Sequence, residues 1–417
     1  MSSALPLSAS STTAPGPAAP AAPVEPPKST PWLALVLLAF MGFVLVSAET
    51  MPAGLLPVIA DGLGTSEGLV GQFISVWALG TVLVTVPAIS LTRGWRRKPL
   101  ILTAIAVLAA ANTITAISSS VPLSLASRFV AGAFCGIIWG MLAAYGLRIS
   151  PPERAGLALS IVSVGAPVGF ALGTPLGTWL GTTFDWRWSF GGLSALAVLA
   201  LAAIAAFVPD APGQRAAAGR TPLARVFAMP GIPVVLAVIF VWMLAHNTIY
   251  TYIAPYLREG GTGLGPDLVL LVYGIASIAG VGVTAVLLDR RPRLLLHGSV
   301  ALFVVAAVVL TVGQGSPTAV LAAAVLWGLT FGGASAQLQG ALTRTGRENS
   351  DVANSFLPVA FNLAIFAAGT TGAFLLQRLD TVVLAVFMAV LGVVALVLTV
   401  VGRRTAFAGA RRSDPTG

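Results

Sequence analysis

The chain has 417 residues, of which 57% are hydrophobic and only 9% are charged. Because soluble domains carry roughly 25% charged residues, this composition excludes a soluble protein and indicates an integral membrane protein. The net charge of +9 could suit nucleic acid. The basic residues, however, lie in short clusters between apolar runs, as in cytoplasmic loops, so we expect no nucleic-acid partner.

The segment 2–28, ahead of the first apolar run, is rich in Ser, Thr, Pro and Ala. Its low complexity and low charge predict disorder. It lacks the basic start of a signal peptide, and the apolar run after it is too long, so we expect that run to remain as an anchor. The single cysteine, Cys135, stands inside an apolar run, which excludes an intrachain disulfide and a cysteine metal site.

Twelve apolar runs follow, each close to the roughly 20 residues that a helix needs to cross a bilayer. Only helices satisfy their own backbone there. The polar segment 210–229 divides the runs six and six. We therefore predict an all-α membrane protein with twelve transmembrane helices in two pseudo-symmetric six-helix bundles, 32–209 and 230–403, a cytoplasmic linker at 210–229, and tails at 1–31 and 404–417. The runs are Trp32–Ile59, Leu69–Leu91, Leu100–Ile117, Pro122–Leu147, Ala155–Leu180, Trp188–Val208, Ile232–Tyr256, Leu268–Leu288, Leu294–Val312, Thr318–Leu342, Val352–Leu376 and Val382–Val401.

The first run contains a single carboxylate, Glu49. A charge inside a membrane costs at least about 2.5 kcal/mol, so such a residue is usually functional and faces the protein interior or water. Alternatively, Glu49 reaches the headgroups, helped by the helix break expected at Met51-Pro52. We favour an inward-facing, titrating Glu49.

The fourth run carries a second charge, Arg128, about 10 Å deep at 1.5 Å per residue from the outer end of the run. At this depth Arg128 could lower the cost of an ionised Glu49. Alternatively, the arginine snorkels to the interface.

The fifth run contains a series of glycines and prolines. Glycines let a neighbouring backbone approach closely, and prolines allow a helix to bend, so the series suits a helix that seals against another. Plain packing is the alternative. The residues are Gly165, Pro167, Gly169, Gly173, Pro175 and Gly177.

The seventh run places Trp242, His246 and Tyr250 at i, i+4 and i+8, with Asn247 beside them. This spacing makes one stripe on a helix. We expect the stripe to face a central cavity and stack on a flat ligand, with interhelical packing as the alternative. Further polar or aromatic residues in the spans either hold helices together or line a cavity for a neutral molecule. They are Asn112, Trp139, Gln337, Gln339 and Asn362.

The basic residues predict the orientation. With the N-terminus in the cytoplasm, the outer loops hold only Arg187, Arg258 and Arg378, and all other basic residues outside the spans lie inside. Both termini are then cytoplasmic. The halves also echo each other: LTRGWRRKPL after run two matches LLDRRPRLLL after run eight, and the stretch from Trp139-Gly140 matches the stretch from Trp327-Gly328. Parallel halves of six spans are an architecture of secondary transporters.

Four features resemble the major facilitator superfamily, and within it the bacterial drug and metabolite proton antiporters that export sugars, purine nucleosides and chloramphenicol. The likeness covers roughly Trp32 to Arg404. The features are the loop Thr92–Lys98, Arg128 with Gly132 and Gly136, the run-five series from Gly165 to Gly177, and the pair of segments Ser66–Gln72 and Asp185–Phe190.

The resemblance implies a part in proton coupling for Arg128, gating by the run-five series, and a gating role for the loop residues Arg93, Arg97, Asp289 and Arg290. Glu49, as the carboxylate inside a span, is our candidate for the proton carrier. One departure stands out. The first loop has Thr92 where the family pattern has Asp, whereas the second copy keeps Asp289-Arg290.

We thus expect a monomeric transporter of the bacterial inner membrane that exports a small organic molecule, such as a drug, nucleoside or sugar-like metabolite, in exchange for protons. Its partners are the substrate, protons and the lipid bilayer, and no cofactor is expected. The sequence has no metal-ligand spacing, nucleophile elbow or phosphate-binding loop, so we do not expect an enzyme. Two alternatives stay open: a facilitator or proton-coupled importer on the same fold, and a membrane receptor, which would usually need a signalling domain.

Overall fold

The computed structural model describes residues 30–92, 94–213 and 222–407. Within these ranges the regular structure is helical, and twelve helical spans are long and apolar enough to cross a membrane. The predicted fold class is confirmed.

The described residues of the first half form nine α-helices. Two spans are interrupted: the first breaks at Met51, and the fifth contains a π-helical segment at Gly169–Gly173. The helices are α1 Trp32–Thr50, α2 Pro52–Leu63, α3 Glu67–Leu91, α4 Arg97–Ile117, α5 Val121–Arg148, α6 Ala155–Ser163, α7 Gly165–Val168, α8 Thr174–Thr183 and α9 Trp186–Phe207.

The second half also has nine α-helices within the residues that the structure describes. Its first span breaks at Tyr252 and its fourth at Gly332-Gly333, and the sequence did not indicate the latter break. The helices are α10 Leu223–Phe227, α11 Ile232–Thr251, α12 Ile253–Glu259, α13 Pro266–Leu287, α14 Pro292–Val312, α15 Pro317–Phe331, α16 Ala334–Gly346, α17 Ser350–Arg378 and α18 Val382–Val401.

Helix starts follow local chemistry. The Ser66 hydroxyl accepts a hydrogen bond from the amide of Leu69 at 3.2 Å, and the Asp185 carboxylate accepts one from the amide of Arg187 at 2.8 Å. These side chains satisfy amides that a helix start leaves unpaired. Several other helices begin with a proline in the first turn, where a missing N–H costs nothing.

The π-helical segment of the fifth span has a covalent cause. Pro175 has no N–H to donate to the carbonyl of Ala171, four residues earlier. The backbone widens just before this proline, over Gly169–Gly173, which is how a helix accommodates a missing bond without ending.

The two halves meet along two seams. One joins α3 to α17, and the other joins α13 to the fifth span; α2 adds contacts to α11, α12 and α13. We call the end of the bundle with the loops 92–96, 149–154, 288–291 and 347–349 the basic end. The other end, with the loops 64–66, 184–185, 260–265 and 379–381, is called the opposite end.

Packing extends into the edges of both predicted tails. Thr30 is buried and receives a hydrogen bond from Arg154 at 3.0 Å. At the C-terminal end, packing continues to Phe407, which is buried and whose carbonyl accepts a hydrogen bond from Arg293 at 2.9 Å. Residues 1–29, 214–221 and 408–417 lie outside the described residues.

Candidate functional site

The break between α1 and α2 creates an unpaired carbonyl in the middle of the first span. In a continuous helix, the amide of residue 52 would donate to the carbonyl of Ala48. Residue 52 is proline and has no N–H, so this acceptor is left free. Arg128 takes it: its Nη2 donates to the Ala48 oxygen at 2.8 Å. A gap in one helix is therefore closed by a cation from another.

Arg128 is completely buried. Besides Ala48, it donates to the carbonyl of Phe73 at 3.4 Å and lies 3.5 Å from the side-chain oxygen of Asn112. Its guanidinium also stands 4.3 Å over the ring of Trp77. A buried cation is costly unless its donors are satisfied, so these contacts hold the charge inside the first half. The structure thus gives Asn112 a partner within the bundle.

Glu49 lies next to the carbonyl that Arg128 binds, and its side chain is half-buried. The carboxylate and the guanidinium interact electrostatically. Among the described residues, however, no group forms a hydrogen bond with the Glu49 carboxylate, and no cation lies within ion-pair distance of it. A carboxylate that is reachable and unpaired, beside a cation that is otherwise satisfied, is free to bind and release a proton.

The glycines of the fifth span determine how closely α1 is held. A Cβ built on Gly165 would lie 1.9 Å from the carbonyl oxygen of Ala39, and one on Gly173 would lie 1.8 Å from the hydroxyl of Ser47. Only glycine permits this approach. Gly169 continues the same contact along α1, and Gly177 meets Met51 at the break that follows α1.

Across the contact between the first and fifth spans, the hydroxyls of Thr50 and Thr174 share a hydrogen bond of 2.6 Å. Of the two prolines, Pro167 is half-buried in α7, and Pro175 is buried at the start of α8. The gating residues predicted in the fifth span therefore pack against the helix that carries Glu49.

The halves are joined at the opposite end. The Tyr252 hydroxyl donates to the carbonyl of Gly369 at 2.7 Å and lies 3.4 Å from that of Gly68 in the first half. Gln72 also donates to Gly369, at 3.2 Å. Outside this cluster, Arg258 forms an ion pair with Glu67. These contacts tie the two halves together at this end.

The predicted stripe on α11 lies deeper than expected. Trp242 is completely buried inside the second half, edge-on to Phe303 and Phe331, each at 5.9 Å between ring centroids. The expectation that it faces a central cavity is corrected by this burial, since helix spacing alone does not tell which neighbours cover a face. His246 and Tyr250 are 2% and 3% exposed, whereas Asn247 is half-buried.

His246 is the centre of an aromatic cluster. Its ring stacks on Phe331, with centroids 3.5 Å apart and planes 14° apart, and lies 5.8 Å from Tyr273. The indole Nε1 of Trp327 donates to its Nδ1 at 2.8 Å. The sequence analysis missed Phe331 and Tyr273 as site residues. Trp327 could have been found, because it is the repeat counterpart of Trp139.

Tyr250 connects this cluster to the first half. Its ring meets that of Phe170, in the π-helical segment, at 6.3 Å and 84°. Its hydroxyl lies close to Thr50, Thr174 and Glu49. The hydroxyl is nevertheless buried and has no partner in hydrogen-bond geometry among the described residues. The carboxylate of one half and the ring cluster of the other therefore meet at Tyr250.

The remaining polar residues are dispersed. Gln337 is buried and donates to Thr284 and Ser299 at 3.2 and 3.1 Å, so it links helices within the second half. Gln339 is exposed. Trp139 and Asn362 are half-buried, and the Asn362 amide donates to its own helix at Pro358. The expectation of one shared polar cavity is therefore corrected for Gln337.

The loop Thr92–Lys98 has no carboxylate of its own and binds that of Asp210. Asp210, at the start of the linker, accepts hydrogen bonds from Arg96 at 2.6 Å and from the amide of Lys98 at 3.0 Å. Burial alone would raise the pKa of Asp210, but these hydrogen bonds and the charge of Arg96 lower it overall. The linker thus supplies an anion where Thr92 replaces the family's Asp.

The other predicted loop residues have different surroundings. Arg97 is buried, and its amide donates to the carbonyl of Ala211 at 2.9 Å. Asp289 and Arg290 are exposed, with Asp289 near enough to Arg344 to interact electrostatically. Arg93 lies outside the described residues.

Known proteins resemble the chain over most of its length. The model of the Major Facilitator Superfamily matches residues 38–350. A chloramphenicol efflux pump of Mycobacterium tuberculosis is 29% identical over 379 residues, covering 88% of this chain and 91% of that pump. A purine ribonucleoside efflux pump of Escherichia coli is 27% identical over 350 residues, covering 84% and 88%.

A solved structure shares the fold. It is a bacterial homologue of the human lysosomal transporter Spinster, in an inward-facing and unoccupied conformation. The TM-score is 0.66 over 93% of this chain and all of that chain, at 14% identity.

Proposed function

The chain belongs to the Major Facilitator Superfamily and is a multi-pass membrane transporter of small molecules, and from this premise we propose that it exports a small organic molecule in exchange for protons. Both sequence relatives described above are named as efflux pumps, one for chloramphenicol and one for purine ribonucleosides. We infer a substrate of that size, uncharged and with hydrogen-bonding groups.

The unpaired, half-buried carboxylate of Glu49 carries the proposal. An ionised Glu49 is stabilised by water or by the charge of Arg128, whereas a protonated Glu49 tolerates an occluded, apolar surrounding. Binding of a proton therefore changes the relative free energies of two conformations, which is what coupling requires. Arg128 keeps the site electropositive, because its own donors are satisfied by backbone and Asn112.

The seal at the opposite end supports alternating access. The bonds of Tyr252 and Gln72 to Gly369 and Gly68 close one side of the interface between halves. We propose that the basic end is cytoplasmic, in agreement with the positive-inside rule, so that this conformation is open inward. Both termini are then in the cytoplasm of a bacterial inner membrane, and the transporter acts as a monomer.

Proteoliposomes with an acidic interior test the coupling. An antiporter uses the outward proton gradient to accumulate labelled chloramphenicol or inosine. Glu49→Gln keeps the size of the side chain but cannot titrate, so we expect loss of gradient-driven accumulation with counterflow of substrate against substrate retained. Glu67→Gln, a carboxylate that already has a partner, is the control and should accumulate substrate.

Two results would contradict the proposal. Accumulation by Glu49→Gln equal to that of the unmodified protein would remove Glu49 as the proton carrier. Accumulation only with an acidic exterior would identify an importer. Orientation is tested separately in cells with Cys135→Ala as background: an impermeant thiol reagent should label Ser119→Cys at the opposite end and spare Thr405→Cys at the basic end.

A further inference from the structure

We propose that His246 is a fixed hydrogen-bond donor to an uncharged, flat ligand, and that Trp327 is the residue that positions its proton. The inference rests on the proposed function, since it names the substrate class of the same transporter. It concerns a group that the coupling mechanism does not use.

The hydrogen bond between Trp327 and His246 determines where the imidazole proton lies. An indole N–H can only donate, so the Nδ1 atom that lies 2.8 Å from it must be an acceptor. A neutral imidazole carries one proton, which is then on Nε2. If Nδ1 were protonated, its N–H and the indole N–H would both be donors and this hydrogen bond could not form. Trp327 therefore holds His246 as a neutral ring with an Nε2–H donor.

The rings around His246 fix the direction of that donor. Phe331 is stacked on the imidazole at 3.5 Å, and Tyr273 lies nearly parallel to it at 5.8 Å and 28°. Rotation of the imidazole would disrupt this stacking and the bond to Trp327. Among the described residues none forms a hydrogen bond with Nε2, so the donor remains available to a ligand.

One turn away on α11, Tyr250 presents a second unused polar atom. Its ring centroid lies 5.2 Å from that of His246, and its hydroxyl is buried without a partner. Native proteins seldom leave such a group unpaired without a reason. Two neighbouring hydrogen-bonding groups, set among aromatic rings, suit a flat ring with acceptors on its edge.

The surroundings favour an uncharged ligand. From α11 to α18, every Asp, Glu, Arg and Lys stands within three residues of a helix end. The titratable groups around the imidazole are thus the phenols of Tyr250 and Tyr273, with Glu49 interacting with Tyr250 from the other half. No cation is present in the cluster to pair with an anionic ligand.

The proton position can be measured without any ligand. His297 is the only other histidine in the sequence and lies half-buried on α14. In a His297→Asn protein labelled with ¹⁵N-histidine, NMR should show a neutral ring protonated at Nε2 down to about pH 5.5. Trp327→Phe removes the donor that makes Nδ1 the acceptor, so we expect a neutral ring whose proton is shared between Nδ1 and Nε2.

Trp242→Phe is the matched control. It removes another buried indole next to Phe331, but one whose N–H has no partner, so the histidine signals should not change. A ring protonated at Nδ1 in the parent protein, or identical spectra for Trp327→Phe and the parent, would overturn the role of Trp327.

Ligand binding tests the second part, in the Glu49→Gln background so that coupling adds no pH dependence. Affinity for chloramphenicol or inosine should be constant within about twofold from pH 5.5 to 8, and His246→Phe should lower it about tenfold. With Trp327→Phe, affinity should fall about threefold or more at every pH, because the Nε2–H tautomer is no longer fixed.

The binding outcomes separate this inference from the proposed function. Unchanged affinity in His246→Phe, or no binding of either probe to any variant, would overturn the donor role. Proton-driven accumulation by Glu49→Gln would instead contradict the coupling proposal and leave the NMR result intact.

Discussion

The ends of α1 and α11 occupy matching places in the two halves and differ in chemistry. Each begins the first membrane span of its half and ends at a threonine just before a break. Each carries its most informative residue one position before that threonine: Glu49 in α1 and Tyr250 in α11. The first is a carboxylate beside a buried arginine. The second is a phenol beside a neutral histidine ring.

This difference shows how a repeated fold can divide its tasks. The first half holds the two charges that lie within spans near the centre of the molecule, and the second half holds uncharged rings and hydrogen-bonding groups. We infer that proton coupling belongs to the first half and recognition to the second. They meet where Tyr250 approaches Glu49 and Thr50.

Removal of the buried cation should have the largest effect. Arg128→Met keeps much of the volume but leaves the carbonyl of Ala48 and the amide oxygen of Asn112 without a donor, at about 1–3 kcal/mol each. We expect a clear drop in the thermal midpoint of the purified protein and loss of proton-driven transport. Arg378→Met, an exposed arginine over Phe374, should leave both unchanged; equal effects of the two substitutions would contradict the role of Arg128.

Disruption of the contact between α1 and the fifth span should have the second-largest effect. Gly165→Val drives a side chain into the Ala39 carbonyl, and overpacking of this kind typically costs about 1–3 kcal/mol. We expect reduced thermal stability and impaired transport in proteoliposomes. Gly156→Val, in the same span but with open space around its Cβ position, is the control. If Gly165→Val behaves like Gly156→Val, the close packing of α1 against the fifth span is not required.

Tyr250→Phe separates recognition from coupling. It keeps the ring and removes only the unpartnered hydroxyl, so we expect a loss of substrate affinity of about threefold to tenfold with proton-driven accumulation retained. Tyr256→Phe removes a hydroxyl that donates to Leu310 at 2.6 Å, and it should lower stability without a change in affinity. Uncoupled transport in Tyr250→Phe would mean that both halves share the proton.

The ion pair that joins the halves should have the smallest effect. Arg258 is 59% exposed and Glu67 is 20% exposed, and pairs in water contribute about 0–1 kcal/mol. Glu67→Gln and Arg258→Gln, alone and together, should change the transport rate less than about threefold. A double-mutant cycle of the rates measures the coupling, and a large value would make this pair a main element of the seal.

Much of the architecture follows from local composition. How each segment distributes between water and lipid determines where the spans lie and where the polar segment 210–229 divides them. It also explains why charges inside spans, such as Glu49 and Arg128, are rare. That preference is a property of the residues themselves. The unpaired carbonyl of Ala48, which Arg128 binds, could also be predicted from the sequence, because a proline four residues after a carbonyl always removes its helical donor.

The partners of each side chain were decided by tertiary packing. These helices are apolar on nearly all sides, so the sequence pattern does not distinguish the face that meets another helix from the face that meets lipid or a cavity. For this reason Trp242 was expected at a cavity and lies inside the second half, and the bond that orients His246 came from Trp327, 81 residues away. Hydropathy specifies that a helix crosses the membrane, but contacts between distant helices specify which of its atoms remain free for chemistry.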